Sequence, residues 1–316
     1  MSNNRVKKVA VVGASGRLAS RIVPELLKTG QHTITAISRH DSTATFPDGV
    51  QVARVDYEKE ESLVEALKGH DFLIITLGAR VPPTLHASIC NAGAKAGIPY
   101  IMPNVYGYDI LNDGLNDDFV YGPVTKQGVK DVETSGANYI VLCCGFWYEW
   151  SLLAGENFLG FDIDNKKAVF FDDGKARINS STLTQCGRAI AALLSLPITK
   201  EDPSKPAIED WKNKGLYISS LLVSQRDILD SLNRVLGTSD SDWTITHENS
   251  KERTESALEE IKKGNFFAFA KALYTRVFYP NGDGDYESTR GVANELLGIE
   301  KEDLDECTKL VLVSLP

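Results

Sequence analysis

The first half of the chain strings together six short apolar runs rich in β-branched residues: KVAVV (8–12), TITAIS (33–38), VQVARV (50–55), DFLIITL (71–77), IPYIM (98–102) and NYIVLC (138–143). Most are separated by stretches whose apolar residues fall at helical spacing, such as Leu18, Ile22, Leu26 and Leu27, then Leu63, Val64 and Leu67, then Leu85, Ile89 and Ala92. A strand that is apolar on both faces must be covered on both faces, and the helices between the runs can supply the cover. The pattern predicts a doubly wound parallel α/β sheet of the Rossmann type.

After about residue 150 the rhythm changes. AVFFDDGKARIN (168–179) reads as two strands around an Asp173-Gly174 turn, a hairpin signal. GLYISSLLVSQRDILDSLNRVLG (215–237) reads as a strand entering a helix, with Ser224 and Asp227 placed as its cap. From residue 250 the chain is mainly helical. The expected organisation is a dinucleotide-binding domain over 1–153 and a smaller, mainly helical substrate lobe over 154–316, with some segments of the lobe returning to the main sheet.

Charge and cysteine usage narrow the partners. A net charge of −9 with no long basic block argues against nucleic acid, so any bound anion has to be met by a local site. Five cysteines without a CxxC pair argue against a disulfide framework and for a reducing compartment. The apolar start is cut short by Gly13, and YIVLCCGFWYEWSLLAG carries Glu149 and falls short of a membrane span. The expectation is a cytoplasmic protein, a monomer or homodimer, that handles a small molecule without a membrane or a metal.

The first run ends in GASGRLA, with Gly13, Gly16 and Ala19 spaced G-x-x-G-x-x-A between a strand and a helix. In that context the first glycine makes the tight turn and the second lets backbone approach a diphosphate at the helix N-terminus. The third position governs only helix-to-strand packing, where a methyl group is tolerated. Ser15, Arg17 and Leu18 within the turn, and Gly78 after the fourth run, are candidate cofactor contacts. The second run ends Ser38-Arg39-His40 with no preceding carboxylate, which favours a guanidinium on a 2′-phosphate and hence NADP; Asp41 keeps NAD open.

A proton donor is harder to find. Tyr-x-x-x-Lys is missing, because Tyr121 and Lys126 are one residue too far apart, and the five histidines are scattered without metal-ligand spacing. The segment from 100 to 152 orders its parts as strand, PNVYG (103–107), a helix with TKQGVK, strand, and GFWYEWSL. That order resembles the isoflavone-reductase-like and NmrA-like atypical short-chain dehydrogenases, the phenylcoumaran benzylic ether reductases among them. Plant members read PSEFG where this chain has PNVYG, and their lysine lies in D-K-x-x-V-[RK], matched here by Lys126, Val129 and Lys130. The tail GVANELLGIEKEDLDE is similar to fungal members, and the resemblance covers essentially the whole chain.

The resemblance implies an NADPH-dependent reductase of specialised metabolism. Lys126 is then the catalytic lysine, Lys130 a basic residue near the cofactor, and an activated C=C, a C=N or iminium, or a quinone methide the reducible bond, so that imine reductase is one expectation. It also admits a dinucleotide-sensing regulator without turnover. Asn104, Val105 and Tyr106 depart from the plant pattern, and Tyr106 or Tyr121 could serve as a displaced phenolic donor. A lysine buried beside a nicotinamide should have its pKa lowered from about 10.4 toward neutrality by desolvation. On a solvated face, Lys126 and Lys130 are merely i, i+4 neighbours. Phe146, Trp147 and Tyr148 lie just past the sixth run, where ligands bind, and read equally as a substrate wall or as packing between lobes.

Overall fold

The structure is a computed structural model that describes residues 4–78, 81–82, 84–119 and 121–313. Its first half supplies strands β1 (Lys8–Val12), β2 (Thr33–Arg39), β3 (Val50–Val55), β4 (Phe72–Ile75), β5 (Tyr100–Met102), β6 (Tyr106–Gly107) and β7 (Asn138–Cys143). The helices between them are α1 (Ala19–Lys28), α2 (Glu60–Leu67), α3 (Leu85–Lys95), α4 (Asp113–Asp118) and α5 (Gly122–Ser135). The strands pair in parallel in the order β7-β5-β4-β1-β2-β3, with the short β6 also on β7. All six apolar runs of the sequence are in this sheet.

Alternation along β1 explains the two layers of core. Val9 and Val11 pack with Ile22 and Leu26 of α1 on one face, whereas Ala10 and Val12 join Leu63 of α2, Ile89 of α3 and Val132 of α5 on the other. Every residue of β4 is buried, as a central parallel strand requires.

The second half contributes β8 (Phe146–Trp147), α6 (Tyr148–Leu153), β9 (Phe161–Asp162), β10 (Lys167–Phe171), β11 (Arg177–Ser181), α7 (Leu183–Ser195), β12 (Lys214–Tyr217), β13 (Leu221–Ser224), α8 (Gln225–Leu236), β14 (Thr244–Glu248), α9 (Ser250–Lys262), α10 (Ala268–Val277), α11 (Tyr286–Arg290) and α12 (Leu304–Val313). Two of these segments belong to the main sheet layer. β12 pairs in parallel with the outer side of β7, and α7 lies against α1 so closely that a Cβ on Gly187 would stand 2.5 Å from Arg21 O. The remainder forms two three-stranded sheets, β14-β10-β9 and β13-β11-β8, with helices packed around them.

The Asp173-Gly174 hairpin does not form. Asp173 Oδ1 accepts a bond from Lys175 N and the chain does turn, but β10 pairs with β14 and β9, and β11 pairs with β13 and β8. A turn residue specifies reversal of the chain, whereas partner choice is set by strands up to 77 residues away, as in the Lys167 to Thr244 pair. The Ser224 cap of α8 is present: Ser224 Oγ accepts from Asp227 N at 3.2 Å, and Asp227 Oδ2 accepts from Ser224 N at 2.8 Å. All five cysteines are buried and unpaired. Among the described residues no helix is long and apolar enough to cross a membrane.

Candidate functional site

The glycine turn joins β1 to α1 and is shaped by β4. Gly13 has φ +74°, and a Cβ there would lie 2.0 Å from Thr76 O, so no other residue fits without displacing the end of β4. Thr76 straps the turn: its hydroxyl donates to Val12 O at 2.9 Å with Gly13 O at 3.1 Å alongside. Gly16 N bonds Gly13 O at 2.8 Å, and the helical ladder begins with Ser20 N on Gly16 O. The N–H groups of Arg17 and Leu18 therefore stand at the helix start with no acceptor among the described residues. Donors of this kind, at the positive end of a helix dipole, fit a diphosphate. Ala19 is fully buried against the sheet, as the tolerance of that position for a methyl group allows.

At the end of β2, Arg39 is solvent-exposed and its Nε lies 3.6 Å from Asp41 Oδ1. A second arginine that no motif marks reaches the same turn. Arg54 of β3 is the register partner of Ser38, and its Nη1 donates to Ser38 Oγ, Arg39 O and Ser42 O at 3.2, 3.1 and 2.8 Å.

Beside the glycine turn, at the carboxyl ends of β1, β4, β6 and β7, opens a cavity of about 490 Å³. Gly16, Arg17 and Leu18 form one side, Thr76 to Gly78 and Asn104 to Tyr108 the floor, and Phe146, Trp147, Trp150, Phe269, Leu273 and Tyr274 the far wall. Phe146 is buried and stacks on Tyr274 with ring centroids 3.8 Å apart. Trp147 presents to the cavity a ring whose Nε1 is buried without a hydrogen-bond partner. Arg17 lays its guanidinium 3.7 Å over the Trp150 ring, so the phosphate turn and the aromatic wall touch directly.

Tyr148, expected beside these aromatics, is fully buried instead and bonds Thr308 of α12 through its hydroxyl. It opens α6, so its side chain turns into the lobe core and away from the cavity. Tyr106 lines the floor with its ring only. Its hydroxyl donates to Ile75 O at 2.9 Å, so its proton is held by backbone and not turned to the cavity, and burial pushes the phenol well above its ordinary pKa. Ser15 is exposed on the turn and outside the cavity lining.

Helix α5 presents Tyr121 and Thr125 to the cavity. Tyr121 is partly exposed and packs edge-on against Phe269, while Thr125 Oγ1 donates to Asn116 Oδ1, which also accepts from Tyr108 OH; burial pushes the Tyr108 phenol up to about 12. Lys126 does not line the cavity. Its side chain is 44% exposed, with Nζ 2.8 Å from Asp117 Oδ1 and 3.2 Å from Asp113 Oδ1. The two aspartates of α4 hold this ammonium above the usual lysine range, the opposite of the lowered pKa expected for a buried lysine. Lys130 is exposed one turn further along, also outside the cavity.

Behind the floor, Asn104 joins the two loops that carry it. Asn104 Oδ1 accepts from Leu77 N at 2.8 Å, and Asn104 N donates to His86 Nε2 at 3.1 Å. An accepting Nε2 places the ring proton on Nδ1, which donates to the buried Asp131 Oδ2 at 2.8 Å. The sequence does not single out Trp150, which only its stacking on Arg17 ties to the turn, or Phe269, Leu273 and Tyr274, because nothing local ties residues of α10 to a turn more than 250 residues earlier.

Comparison with known proteins agrees with this geometry. Residues 13–155 match the NAD(P)H-binding family. The chain is 28% identical to oxidoreductase aprR of Aspergillus flavus over 312 residues, 96% of this chain and 98% of that protein. Its fold matches isoflavone reductase (TM-score 0.75, 20% identity, 96% of this chain and 99% of the other). It also matches AtPrR2, solved with NADP+ and (+)-pinoresinol (TM-score 0.76, 16% identity, 97% and 99%). Residues 13–155 are thus similar to NAD(P)H-binding domains, and the chain carries them on a doubly wound sheet. Its fold is that of the isoflavone reductase-like structures it matches.

Proposed function

We propose that the protein is an NADPH-dependent reductase that delivers hydride to a small, flat, conjugated organic substrate, and that it serves specialised metabolism in the cytoplasm. One observation carries this: the phosphate-ready turn and an aromatic cavity are a single continuous cleft, joined where Arg17 stacks on Trp150. Bound NADPH supplies the hydride. Phe146, Trp147 and Tyr274 offer a flat aromatic wall for a planar substrate. The acceptor is an activated C=C, a C=N or iminium, or a quinone-methide-like system.

Lys126, outside the cavity, is a paired cation and not an acid–base group, because Asp113 and Asp117 keep it protonated. The proton that completes the reduction of a neutral acceptor comes from solvent. An iminium acceptor needs no proton at all. Tyr121, the phenol at the cavity mouth, orients the substrate; Arg39 holds the 2′-phosphate, and Gly78 leaves room beside the cofactor. The test is NADPH oxidation against a panel of iminium ions, quinones and α,β-unsaturated aromatic ketones, with NADPH affinity measured calorimetrically. Turnover of at least one class that falls in Trp147→Ala, with NADPH affinity retained, is the expected result. Tight NADPH binding with no oxidation across the panel would sink the proposal.

A further inference from the structure

The NADP reading raises a charge question that Arg39 alone does not answer. A phosphate monoester carries close to two negative charges near pH 7. Arg39 supplies one positive charge, and Asp41 at 3.6 Å offsets part of it. The other nearby carboxylate, Asp56, is matched by Lys59 at 3.0 Å and contributes no net charge. A turn holding only these groups would meet a dianion with almost no net charge.

Arg54 supplies what is missing. It makes no ion pair among the described residues, although most arginines in the chain that touch side chains have a carboxylate partner. Its three hydrogen bonds all run from Nη1, to Ser38 Oγ, Arg39 O and Ser42 O, and Nε and Nη2 bond nothing among the described residues. The turn it grips is closed by Ser42 N on Arg39 O at 3.2 Å, so one nitrogen of Arg54 spans both ends of the segment that displays Arg39. Guanidinium groups form charge-assisted pairs with phosphate oxygens through adjacent N–H groups, and Arg54 has such a pair unspent.

We propose that Arg54 is a second cofactor-specificity residue. It fixes the Arg39 to Ser42 turn with Nη1 and offers Nε and Nη2 to the 2′-phosphate, so that preference for NADPH over NADH depends on a strand β3 arginine as well as on Arg39. This rests on the NADPH reading of the site, and its failure is separable from the failure of that reading.

The experiment is calorimetric titration of the purified full chain and of Arg54→Ala, Arg54→Gln and Arg54→Lys with NADPH, NADH, 2′,5′-ADP and 5′-ADP, with ligand-free thermal melts alongside. Loss of one charge-assisted bond predicts about 10- to 100-fold weaker binding of NADPH and 2′,5′-ADP in Arg54→Ala and Arg54→Gln. NADH and 5′-ADP should change by less than about twofold, since they place no phosphate at this turn. Arg54→Lys keeps the charge and should recover part of the loss. A residue that merely pins the turn would weaken all four ligands equally, and that outcome overturns the proposal. Unchanged NADPH preference in Arg54→Ala and Arg54→Gln, with preference lost in Arg39→Ala, overturns it while leaving the NADPH reading intact. A wild-type chain that binds NADH as well as NADPH overturns both.

Discussion

The two ends of the cleft are made in opposite ways. The phosphate end is made of backbone: a glycine at φ +74°, free N–H groups at the start of α1, and the carbonyl of Thr76 pressed against the turn. The substrate end is made of side chains, gathered from β6, β8, α5, α6 and α10. A backbone site tolerates variety in side chains but no added atom at the point of closest approach. A side-chain site tolerates shifts of backbone but depends on the identity of each ring. The ligands that the two ends can accept should differ in the same way, one a dinucleotide that the glycine turn suits and the other particular to this chain.

The largest effect should come from violating the backbone end. Gly13→Val puts a side chain into Thr76 O and should cost roughly 3 kcal/mol or more, visible as a lowered melting temperature and loss of detectable NADPH binding by calorimetry. At the other end, Phe146→Ala removes a buried ring stacked on Tyr274 and should cost about 3 kcal/mol. Its signature is a raised KM with NADPH affinity nearly unchanged; if both ligands weaken together, the two ends are not independently built.

Arg39→Ala should weaken NADPH by about 30-fold and leave NADH unaltered, the worth of a charge-assisted hydrogen bond. A smaller change is expected for Lys126→Ala, about fivefold in kcat/KM, as befits an exposed, paired cation. Because its aspartate partners raise the pKa of this lysine, the ammonium stays charged from acid through neutral pH into mild alkali. Its removal should leave the shape of the pH–rate profile unchanged between about pH 6 and 9, below the ordinary lysine range. A new or vanished titration step there would restore an acid–base role. The smallest effect belongs to Tyr106→Phe, which loses the bond to Ile75 O and about 1 kcal/mol of stability with kcat unaltered.

Legibility from the sequence follows the same division. The six sheet strands and the glycine turn are local patterns with local causes, and they stand in the structure where the spacing places them. The Asp173 hairpin was misread because pairing partners are chosen by distant strands. Tyr148 and Tyr106 sit next to cavity residues in sequence, but the start of α6 turns one into the core and Ile75 O takes the hydroxyl of the other. The expected environment of Lys126 assumed burial, and the α4 aspartates that contradict it lie nine and thirteen residues earlier on a separate helix. Arg54 escaped notice because its strand carries no fingerprint; only the sheet register brings it to Ser38.

One consequence follows from the return of β12 and α7 to the nucleotide-binding layer. A fragment ending near residue 153 would retain the whole glycine turn, yet it would bare the outer flank of β7 and the side of α1 against which Gly187 fits. Such a fragment should be sticky and poorly folded, and limited proteolysis of the intact chain should find no cut that releases a free cofactor-binding half.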